Sequence, residues 1–459
     1  MRSPILGLLL GATALGTPAL ANAPAQSPRP MTRVAETPEM TLAAAAPARS
    51  LRPQLRDLDL ATTTPQVTET AGDAGFDRWI KSFRSRALAS GVRASVFDQA
   101  FRGVRYNSSI IKKDRNQSEF TKTIWDYLAS AASDTRIRNG KDALRRHNRT
   151  LEAIERRYGV DKEVVTAVWG LESAYGTFRG DIPTIEALAT LAYDGRRGKF
   201  FEAQLLAALK IIQNGDIPAH RMTGSWAGAM GHTQFIPTSY ESFAVDFTGD
   251  GRRDIWSDDP TDALASTAAY LAKSGWQRGK PWGVEVRLPA GFNYTLANRK
   301  ILKSPAQWAA LGVTDMNGRA VPNSNGQGSI LLPAGGNGAA FMIFSNFSAI
   351  EKYNTADAYV IGVGHLSDRI KGGPPIRGKW PHGDRALTFS ERKELQRRLT
   401  RAGFDTQKID GKIGPLTINA VRAFQEAKGL TPDGYASLTL LQQLRRSGGG
   451  GGKTPKVLR

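Results

Sequence analysis

The chain has 459 residues, which is long enough for two or more domains with substantial cores. Its formal net charge of +20, from 62 Lys and Arg against 42 Asp and Glu, favours anionic polymers such as nucleic acid, a membrane surface or cell-wall material. The absence of cysteine excludes disulfides, thiolate metal sites, a cysteine nucleophile and a lipidated cysteine. The basic residues are spread out without a nucleic-acid motif, so no nucleic-acid partner is predicted. The five histidines lack the spacing of a metal site.

The first residues are typical of a secretory signal peptide. Arg2 supplies positive charge, the segment 5–15 supplies a short apolar run, and Ala19 and Ala21 supply small residues at a cleavage site. The prediction is a signal peptide over residues 1–21 and a mature protein exported to the periplasm, soluble and not a lipoprotein. Because the apolar run is too short to span a bilayer comfortably, no transmembrane anchor is expected after cleavage; a membrane-anchored N-terminus is the alternative.

Residues 22–74 are rich in Ala, Pro and Thr, which predicts a disordered tether. From about Phe76 to Gly275 the apolar residues follow helical periodicity, and Asp161 is an expected helix N-cap. The predicted helices in this stretch cover 118–132, 141–158, 161–175, 183–191, 199–214 and 262–273.

The composition changes after the helical stretch. Segments 284–288, 329–332 and 340–344 are strand-like and are separated by Gly, Pro and Asn. A further helix is predicted over 356–369. The predicted fold class is mainly α (α+β): a helical domain over 75–372 with a small β-containing insertion, then a linker over 373–385.

A small domain is predicted over 386–446, before a flexible tail over 447–459. Ser390 is expected to cap its first helix and Thr417 its second. The motif DGKIGPLTINAVRAFQ begins at Asp410, and a second Asp-Gly pair begins at Asp433. This pattern resembles the three-helix peptidoglycan-binding domain that is appended to many cell-wall enzymes. A generic three-helix unit is the alternative.

The most informative residue is a glutamate within the segment WGLESAYG, which starts at Trp169. Val164, Val165 and Val168 mark one face of the predicted helix, and Glu172 falls on that same apolar face. Burial disfavours a carboxylate and raises its pKa, so such a group carries a proton near neutral pH and suits a general acid. A structural glutamate held by an arginine or by backbone donors is the alternative.

A second motif, SWAGAMGHTQFIP, begins at Ser225. Its small residues permit close backbone approach, Ser225 and Gln234 offer hydrogen-bonding groups, and Phe235 offers an apolar face. This mixture suits a sugar, whose ring has polar edges and apolar faces. Ordinary helix packing with small residues is the alternative for this stretch alone.

The segment DFTGDGRRD begins like a calcium-binding EF-hand loop. Asp246, Thr248 and Asp250 place oxygen atoms at the first, third and fifth positions, and a glycine follows at the sixth. Arg252 offers only its carbonyl oxygen, and the usual glutamate of the twelfth position is absent. Structural calcium is one interpretation, with no cofactor required for the chemistry. An Asp/Gly-rich turn stabilised by its own side chains is the other.

Together, the ESAYG and GAMGHTQFIP segments resemble those of the lytic murein transglycosylases, most closely a soluble form of the membrane-bound lytic transglycosylase B family. The resemblance extends over about residues 76–372. It implies a lysozyme-like catalytic domain, a catalytic acid/base at Glu172 and a later calcium ligand at Asp262. The implied substrate-binding residues are Ser173, Tyr175, Ser225, Gln234, Phe235, Tyr270, Tyr353, Asn354 and Tyr359.

The reaction implied by this resemblance is cleavage of the β-1,4 MurNAc–GlcNAc bond of peptidoglycan with formation of 1,6-anhydroMurNAc ends, in which Glu172 acts first as acid and then as base. The expected partner is the peptidoglycan glycan strand, and the sequence does not indicate which protein partners the chain has. Two alternatives stay open: a muramidase that hydrolyses the same bond, and a non-catalytic peptidoglycan-binding scaffold. A hydrolase would usually need a second carboxylate, and Asp181, Glu186 and Asp194 are near Glu172 in the chain.

Overall fold

The computed structural model describes residues 70–115 and 122–447. The predicted signal peptide, most of the predicted tether and the tail from residue 448 lie outside the described residues. The first helix already begins at Thr70, before the predicted start of the folded domain at 75. None of the helices in the described ranges is both long enough and apolar enough to cross a bilayer.

Helices dominate the described residues, and the predicted mainly α class is confirmed. The helices are α1 (Thr70–Ala89), α2 (Ala94–Ala100), α3 (Ser108–Arg115), α4 (Ile124–Ala131), α5 (Asp134–Arg146), α6 (Asn148–Tyr158), α7 (Lys162–Ser173), α8 (Thr184–Asp194), α9 (Gly198–Gln213), α10 (Pro237–Phe243), α11 (Thr261–Lys273), α12 (Pro305–Ala310), α13 (Ser345–Tyr353), α14 (Asp357–Lys371), α15 (Phe389–Arg401), α16 (Pro415–Ala427) and α17 (Leu438–Ser447). The strands are β1 (Ile182–Pro183), β2 (Thr223–Gly224), β3 (Gly283–Arg287), β4 (Thr314–Asp315), β5 (Ser329–Leu331) and β6 (Ala340–Ile343).

Helix α7 lies at the centre of the largest core. It packs against α5, α6, α11 and α14, and every side chain from Val164 to Ser173 is buried. A helix surrounded in this way has no solvent face, which is why its sequence is apolar on more than one side. Glu172 is therefore enclosed by protein, as the periodicity predicted.

The stretch predicted as one helix over 141–158 is two helices. Ser133 caps the first, α5, by accepting a hydrogen bond from the Arg136 amide, and the break falls at His147 between α5 and α6. The His147 ring packs edge-on against Trp169, with centroids 5.4 Å apart. This contact joins residues that are distant in sequence, so helical periodicity did not reveal the break.

The β-containing insertion forms an antiparallel sheet in the order β4-β3-β6-β5, and the three predicted strands are confirmed as β3, β5 and β6. It has its own small core around Trp308, Ile330 and Met342. A separate pair, β1 with β2, aligns Ile182 with Gly224. This pair fixes the start of the second motif beside the segment that follows α7.

The last three helices pack around a separate core that includes Leu395, Phe424 and Leu441. The expected cap at Ser390 is wrong: Thr388 caps α15, in a reciprocal capping box with Glu391. The expected cap at Thr417 is also wrong, because α16 already begins at Pro415. Thr417 is buried, and its hydroxyl accepts a hydrogen bond from the Gln396 amide at 3.1 Å.

Candidate active site

Glu172 lies in the last turn of α7, and only 3% of its surface is exposed. The hydroxyl of Tyr359, from the first turns of α14, donates a hydrogen bond to Glu172 Oε1 at 2.6 Å. A hydrogen bond of this length fixes the side chain's orientation, and it is stronger than a neutral one when the carboxyl group is ionised. The carboxyl group is therefore positioned before any substrate arrives.

The chain leaves α7 through a tight turn. Ala174, Tyr175 and Gly176 take φ values of 48°, 60° and 87°, and such conformations cost free energy for residues other than glycine. The predicted binding residue Ser173 stabilises this turn: its hydroxyl accepts from the Gly176 amide at 2.9 Å and donates to the His232 carbonyl at 2.6 Å. Ser173 thus joins the two sequence motifs.

Two glycines of the first motif are required by close packing. A Cβ on Gly170 would lie 2.6 Å from the Tyr175 ring, and one on Gly176 would lie 2.7 Å from the His232 ring. The Tyr175 hydroxyl donates to the Arg136 carbonyl at 2.8 Å, and burial raises the pKa of Tyr175, so it stays a donor. The structure thus gives Tyr175 a clear packing role beside Glu172.

The second motif forms a loop closed by a bridge between Met230 and Phe235. The side-chain amide of Gln234, at a φ of 53°, donates to the carbonyls of Arg179 and Gly231, both at 2.9 Å. The Ser225 hydroxyl accepts from the Ala229 amide at 3.1 Å. Both predicted binding residues therefore help to hold the loop in shape.

Aromatic side chains connect this loop to the glutamate. Phe235 makes edge contacts with Tyr270 and Tyr353, both at 5.9 Å, and Tyr353 stacks on Tyr359 at 6.5 Å. All four rings are buried. Because Tyr359 bonds to Glu172, these rings form one continuous layer, which we call the aromatic layer, from the second motif to the carboxyl group.

Backbone carbonyls anchor the aromatic layer. The Tyr353 hydroxyl donates to the Thr233 carbonyl and the Tyr270 hydroxyl donates to the Lys352 carbonyl, each at 2.6 Å. Asn354 is also buried and turns the chain from α13 into α14 by accepting from the Ala356 amide at 3.0 Å. The structure thus connects the predicted residues Phe235, Tyr270, Tyr353 and Tyr359 to Glu172, whereas the contacts of Ser225 stay within the second motif.

His232 is a central residue that the sequence reasoning missed. Trp169 Nε1 donates to its Nδ1 at 3.1 Å, and its Nε2 lies 2.7 Å from the Ser257 carbonyl. Burial lowers the pKa of His232, so the ring is neutral, and these partners assign its proton to Nε2. The available signal is its place inside the second motif.

Arg179 is the other missed residue. Its guanidinium donates to the Ser257 carbonyl at 2.7 Å and pairs with Asp258 at 2.8 Å, while its own carbonyl accepts from Gln234. It fastens the segment that follows α7 to the second motif and to the segment between the Asp/Gly-rich loop and α11. No periodic pattern marks such a residue, because its partners are far apart in sequence.

Two of the three carboxylates near Glu172 in the chain have structural partners. Glu186 accepts from the Asn107 amide at 2.8 Å, and Asp194 pairs with Arg115 at 2.8 Å. Asp181 is exposed. Glu186 and Asp194 are thus engaged by the chain in and just before α3, which gives each of them a structural role.

The Asp/Gly-rich loop gathers its acidic residues. Carboxylate oxygens of Asp246, Asp250 and Asp262 lie within 4.8 Å of one another, a spread that fits calcium–oxygen distances of about 2.3–2.6 Å. The Thr248 hydroxyl donates to Asp246 at 3.2 Å, and the Arg252 amide donates to Asp250 at 2.9 Å. The three carboxylates fit a calcium ion, and the loop's own N–H groups also stabilise them.

Fold and site together define a class, that of lysozyme-like enzymes that act on glycans. The family model of the transglycosylase SLT domain matches residues 75–368, which is more than half of the chain. The chain belongs to the transglycosylase SLT domain family. A peptidoglycan-binding domain model matches residues 390–444, which agrees with the C-terminal signature.

Individual relatives agree with this assignment. The membrane-bound lytic murein transglycosylase B of Escherichia coli (strain K12) is 32% identical over 242 residues, covering 51% of this chain and 63% of the E. coli protein. This chain therefore spans less than two thirds of that relative. SltB3 from Pseudomonas aeruginosa, solved in complex with NAG-NAM-pentapeptide, is 51% identical with a TM-score of 0.79, covering 81% of this chain and 99% of SltB3.

A calcium complex is known for another relative. The Escherichia coli lytic transglycosylase Slt35 in complex with calcium is 27% identical to this chain, with a TM-score of 0.55. The similarity covers 67% of this chain and 98% of that structure. A related protein of this fold thus binds calcium, and no requirement for the ion follows from that.

Proposed function

We propose that this protein is a lytic transglycosylase that cleaves the β-1,4 MurNAc–GlcNAc bond of peptidoglycan and leaves 1,6-anhydroMurNAc ends. The observation that carries the proposal is the buried carboxyl group of Glu172, held by the Tyr359 hydroxyl in a domain of this family. The crystallised complex of SltB3 with NAG-anhNAM-pentapeptide names an anhydro product of this kind for a relative that is 50% identical.

Glu172 performs both proton transfers in this proposal. Protonated, it donates to the glycosidic oxygen as the C1–O bond breaks, and the substrate's own N-acetyl oxygen stabilises the developing positive charge. Ionised, it then takes the proton of the C6 hydroxyl as that oxygen bonds to C1. The proton count balances without water, so a second carboxylate is not needed.

The other predicted site residues bind the substrate or position Glu172. Ser225, Gln234 and Asn354 hold the segments around the site through their backbone contacts, while the buried aromatic layer supports the carboxyl group. Ser173 and Tyr175 hold the turn that presents Glu172. Positioning of this kind is a large part of enzymatic rate enhancement.

The products of digestion test this function. Purified sacculi treated with the enzyme in ¹⁸O-labelled water are expected to release muropeptides with anhydro ends and without ¹⁸O, because no water enters the reaction. Mass spectrometry of the released fragments measures both features. Reducing MurNAc ends that carry ¹⁸O would identify a muramidase instead, and an absence of release would leave only a binding scaffold.

Calcium binding at the Asp/Gly-rich loop is a structural part of the proposal. Asp246, Asp250 and Asp262 would hold the ion, together with the Thr248 hydroxyl and the Arg252 carbonyl. The ion would neutralise the three carboxylates. It would also tie the loop to the start of α11, because the buried Asp262 lies in the first turn of that helix. It takes no part in the chemistry at Glu172.

Removal of calcium is expected to lower thermal stability. A ligand at one hundred times its dissociation constant stabilises the folded state by about 2.7 kcal/mol, so calcium should raise Tm by several degrees over the value in EGTA. Asp250→Asn should abolish this increase, whereas Asp259→Asn, which changes an exposed carboxylate outside the trio, should keep it. Equal Tm values with calcium and with EGTA would contradict the site.

The C-terminal domain directs the enzyme to the wall in this proposal. Its family match is to a peptidoglycan-binding domain, and the net charge of +20 suits the carboxylates of peptide stems. We place the mature enzyme in the periplasm, where such a substrate would be met. The predicted domain boundaries, with a catalytic domain over 75–372, a linker over 373–385 and a binding domain over 386–446, are part of the same proposal.

A further inference from the structure

Exposed apolar side chains are concentrated at one loop of the C-terminal domain. In the part of the chain that the structure describes, six large apolar residues are exposed, and three of them are Phe389 at 55%, Ile409 at 45% and Leu416 at 42%. Ile409 lies in the loop before α16, and Leu416 lies in the first turn of α16. Phe389 packs on Gly411 within this loop: a Cβ there would lie 2.6 Å from the ring. An exposed apolar cluster of this kind is typical of a binding surface.

The domain contains the same side-chain arrangement twice. Gln396 accepts from the Gly411 amide at 2.8 Å and donates to Asp410 at 3.2 Å. Gln425 likewise accepts from the Gly434 amide at 2.8 Å and donates to Asp433 at 2.7 Å. Each glutamine thus fixes one Asp-Gly turn, and the two turns give the domain two similarly built faces.

The second Asp-Gly turn, at Asp433, contacts the β-containing insertion of the same chain. Asp433 also accepts from the Gly336 amide of the β-containing insertion at 2.8 Å, and a Cβ on Gly335 would lie 2.5 Å from that carboxylate. Arg422 donates to the Ala297 carbonyl at 2.8 Å. This face is the attachment of the C-terminal domain to the catalytic domain, so it is not free for the wall.

The first turn carries apolar surface together with positive charge. The Lys393 ammonium lies 4.7 Å from the centre of the exposed Phe389 ring, and Lys412 is exposed in the same loop. The acidic residue of the loop, Asp410, accepts from the Lys412 amide and from Gln396. The ammonium groups of Lys393 and Lys412 therefore add positive charge beside the apolar cluster, while the carboxylate of Asp410 is held by these two hydrogen bonds.

We propose that Phe389, Lys393, Ile409, Lys412 and Leu416, the Phe389 patch, bind the peptide-bearing glycan strand of peptidoglycan. The lysines pair with the carboxylates of the stem peptide, and the apolar side chains contact its methyl groups and the sugar faces. This inference rests on the proposed function, because it assigns to one face the wall binding proposed for the whole domain. The match in charge selects an anionic polymer as the occupant.

Pelleting with purified sacculi tests the patch in the full-length protein. All variants carry Glu172→Gln, so that the sacculi stay intact during the measurement. We expect the pair Phe389→Ala and Leu416→Ala to weaken binding at least tenfold, as about 1.4 kcal/mol would. The pair Leu302→Ala and Leu311→Ala, which removes equally exposed apolar side chains from the insertion, should bind normally.

The charged residues give a second, independent variant. Lys393→Gln with Lys412→Gln should weaken binding at low salt and flatten its dependence on salt, because fewer ion pairs are screened. Circular dichroism and Tm of each variant verify folding. Unchanged binding by both pairs of variants would overturn the patch while wall targeting stands.

Three other outcomes would also count against the assignment. If the parent Glu172→Gln protein failed to pellet at low salt, the proposed wall targeting itself would fail. If the parent were a dimer in sedimentation, and Phe389→Ala with Leu416→Ala made it monomeric without weakening sacculus binding, the patch would be a self-association surface. The protein could also bind peptide-stripped sacculi and intact sacculi with the same affinity. That result would show that the patch does not bind the stem peptide.

Discussion

Replacing Glu172 with glutamine is expected to abolish the release of anhydro products while leaving the fold intact. Glutamine has the same shape, and its side-chain oxygen can still accept the hydrogen bond that Tyr359 donates at 2.6 Å in the native protein. It cannot donate a proton as an acid and take one back as a base. Loss of a positioned acid costs about 100- to 10,000-fold in rate, and here one group serves both steps. Mass spectrometry of digested sacculi measures the loss.

Glu186→Gln is the matched control for this variant. Glu186 is the half-buried carboxylate that bonds to Asn107, and glutamine can keep that acceptor. Activity close to that of the native enzyme is expected, because the proposed mechanism uses one carboxyl group. Turnover by Glu172→Gln above about a hundredth of the native rate would remove Glu172 from the role of acid. A comparable loss in Glu186→Gln would instead indicate a second catalytic carboxylate.

Tyr359→Phe is expected to have the next largest effect, lowering kcat by about 10- to 100-fold. Hydrogen bonds to charged groups contribute about 1.5–3 kcal/mol, and this one acts on the carboxylate that forms when Glu172 gives up its proton. KM should change little, since the Tyr359 ring stays stacked on Tyr353 and the aromatic layer keeps its shape. Initial rates over a range of soluble glycan concentrations separate the two constants.

A second tyrosine distinguishes positioning from general stability. Tyr240 is also fully buried, and its hydroxyl also bonds at 2.6 Å, but to the carbonyl of Arg253 rather than to Glu172. Tyr240→Phe should lose a similar amount of stability and keep its kcat. Equal losses of kcat in the two variants would show that any buried hydroxyl matters equally, and Tyr359 would then have no special role.

The helical elements could be predicted because periodicity is a local property. The predicted helices over 161–175, 183–191, 199–214 and 262–273 correspond to α7, α8, α9 and α11 within a few residues. Two predicted stretches differ. The one over 118–132 is helical only from Ile124 within the described residues, and the one over 141–158 breaks at His147, where the ring packs on Trp169. A contact between distant residues can override a continuous periodic pattern.

The N-cap of α7 shows the same limit of prediction from local sequence. Asp161 is the N-cap of α7, as predicted, but its side chain makes no capping bond. Its carboxylate instead accepts from Trp276 at 2.8 Å and from the Gly279 amide at 3.2 Å. The sequence located the helix start, and packing against a segment more than a hundred residues away gave the side chain a different partner.

The sequence by itself determined the chemistry of this protein: an inward glutamate, two motifs whose glycines permit close approach, and a C-terminal domain with two Asp-Gly turns. These features depend on residues that are adjacent in the chain, so periodicity and motif spacing can predict them. Only the tertiary structure decided that Tyr359, 187 residues away, holds Glu172, and that Asp433 fastens the C-terminal domain to Gly336. Side-chain hydrogen bonds over such separations have no periodic signature, because they form only when packing brings the two elements together.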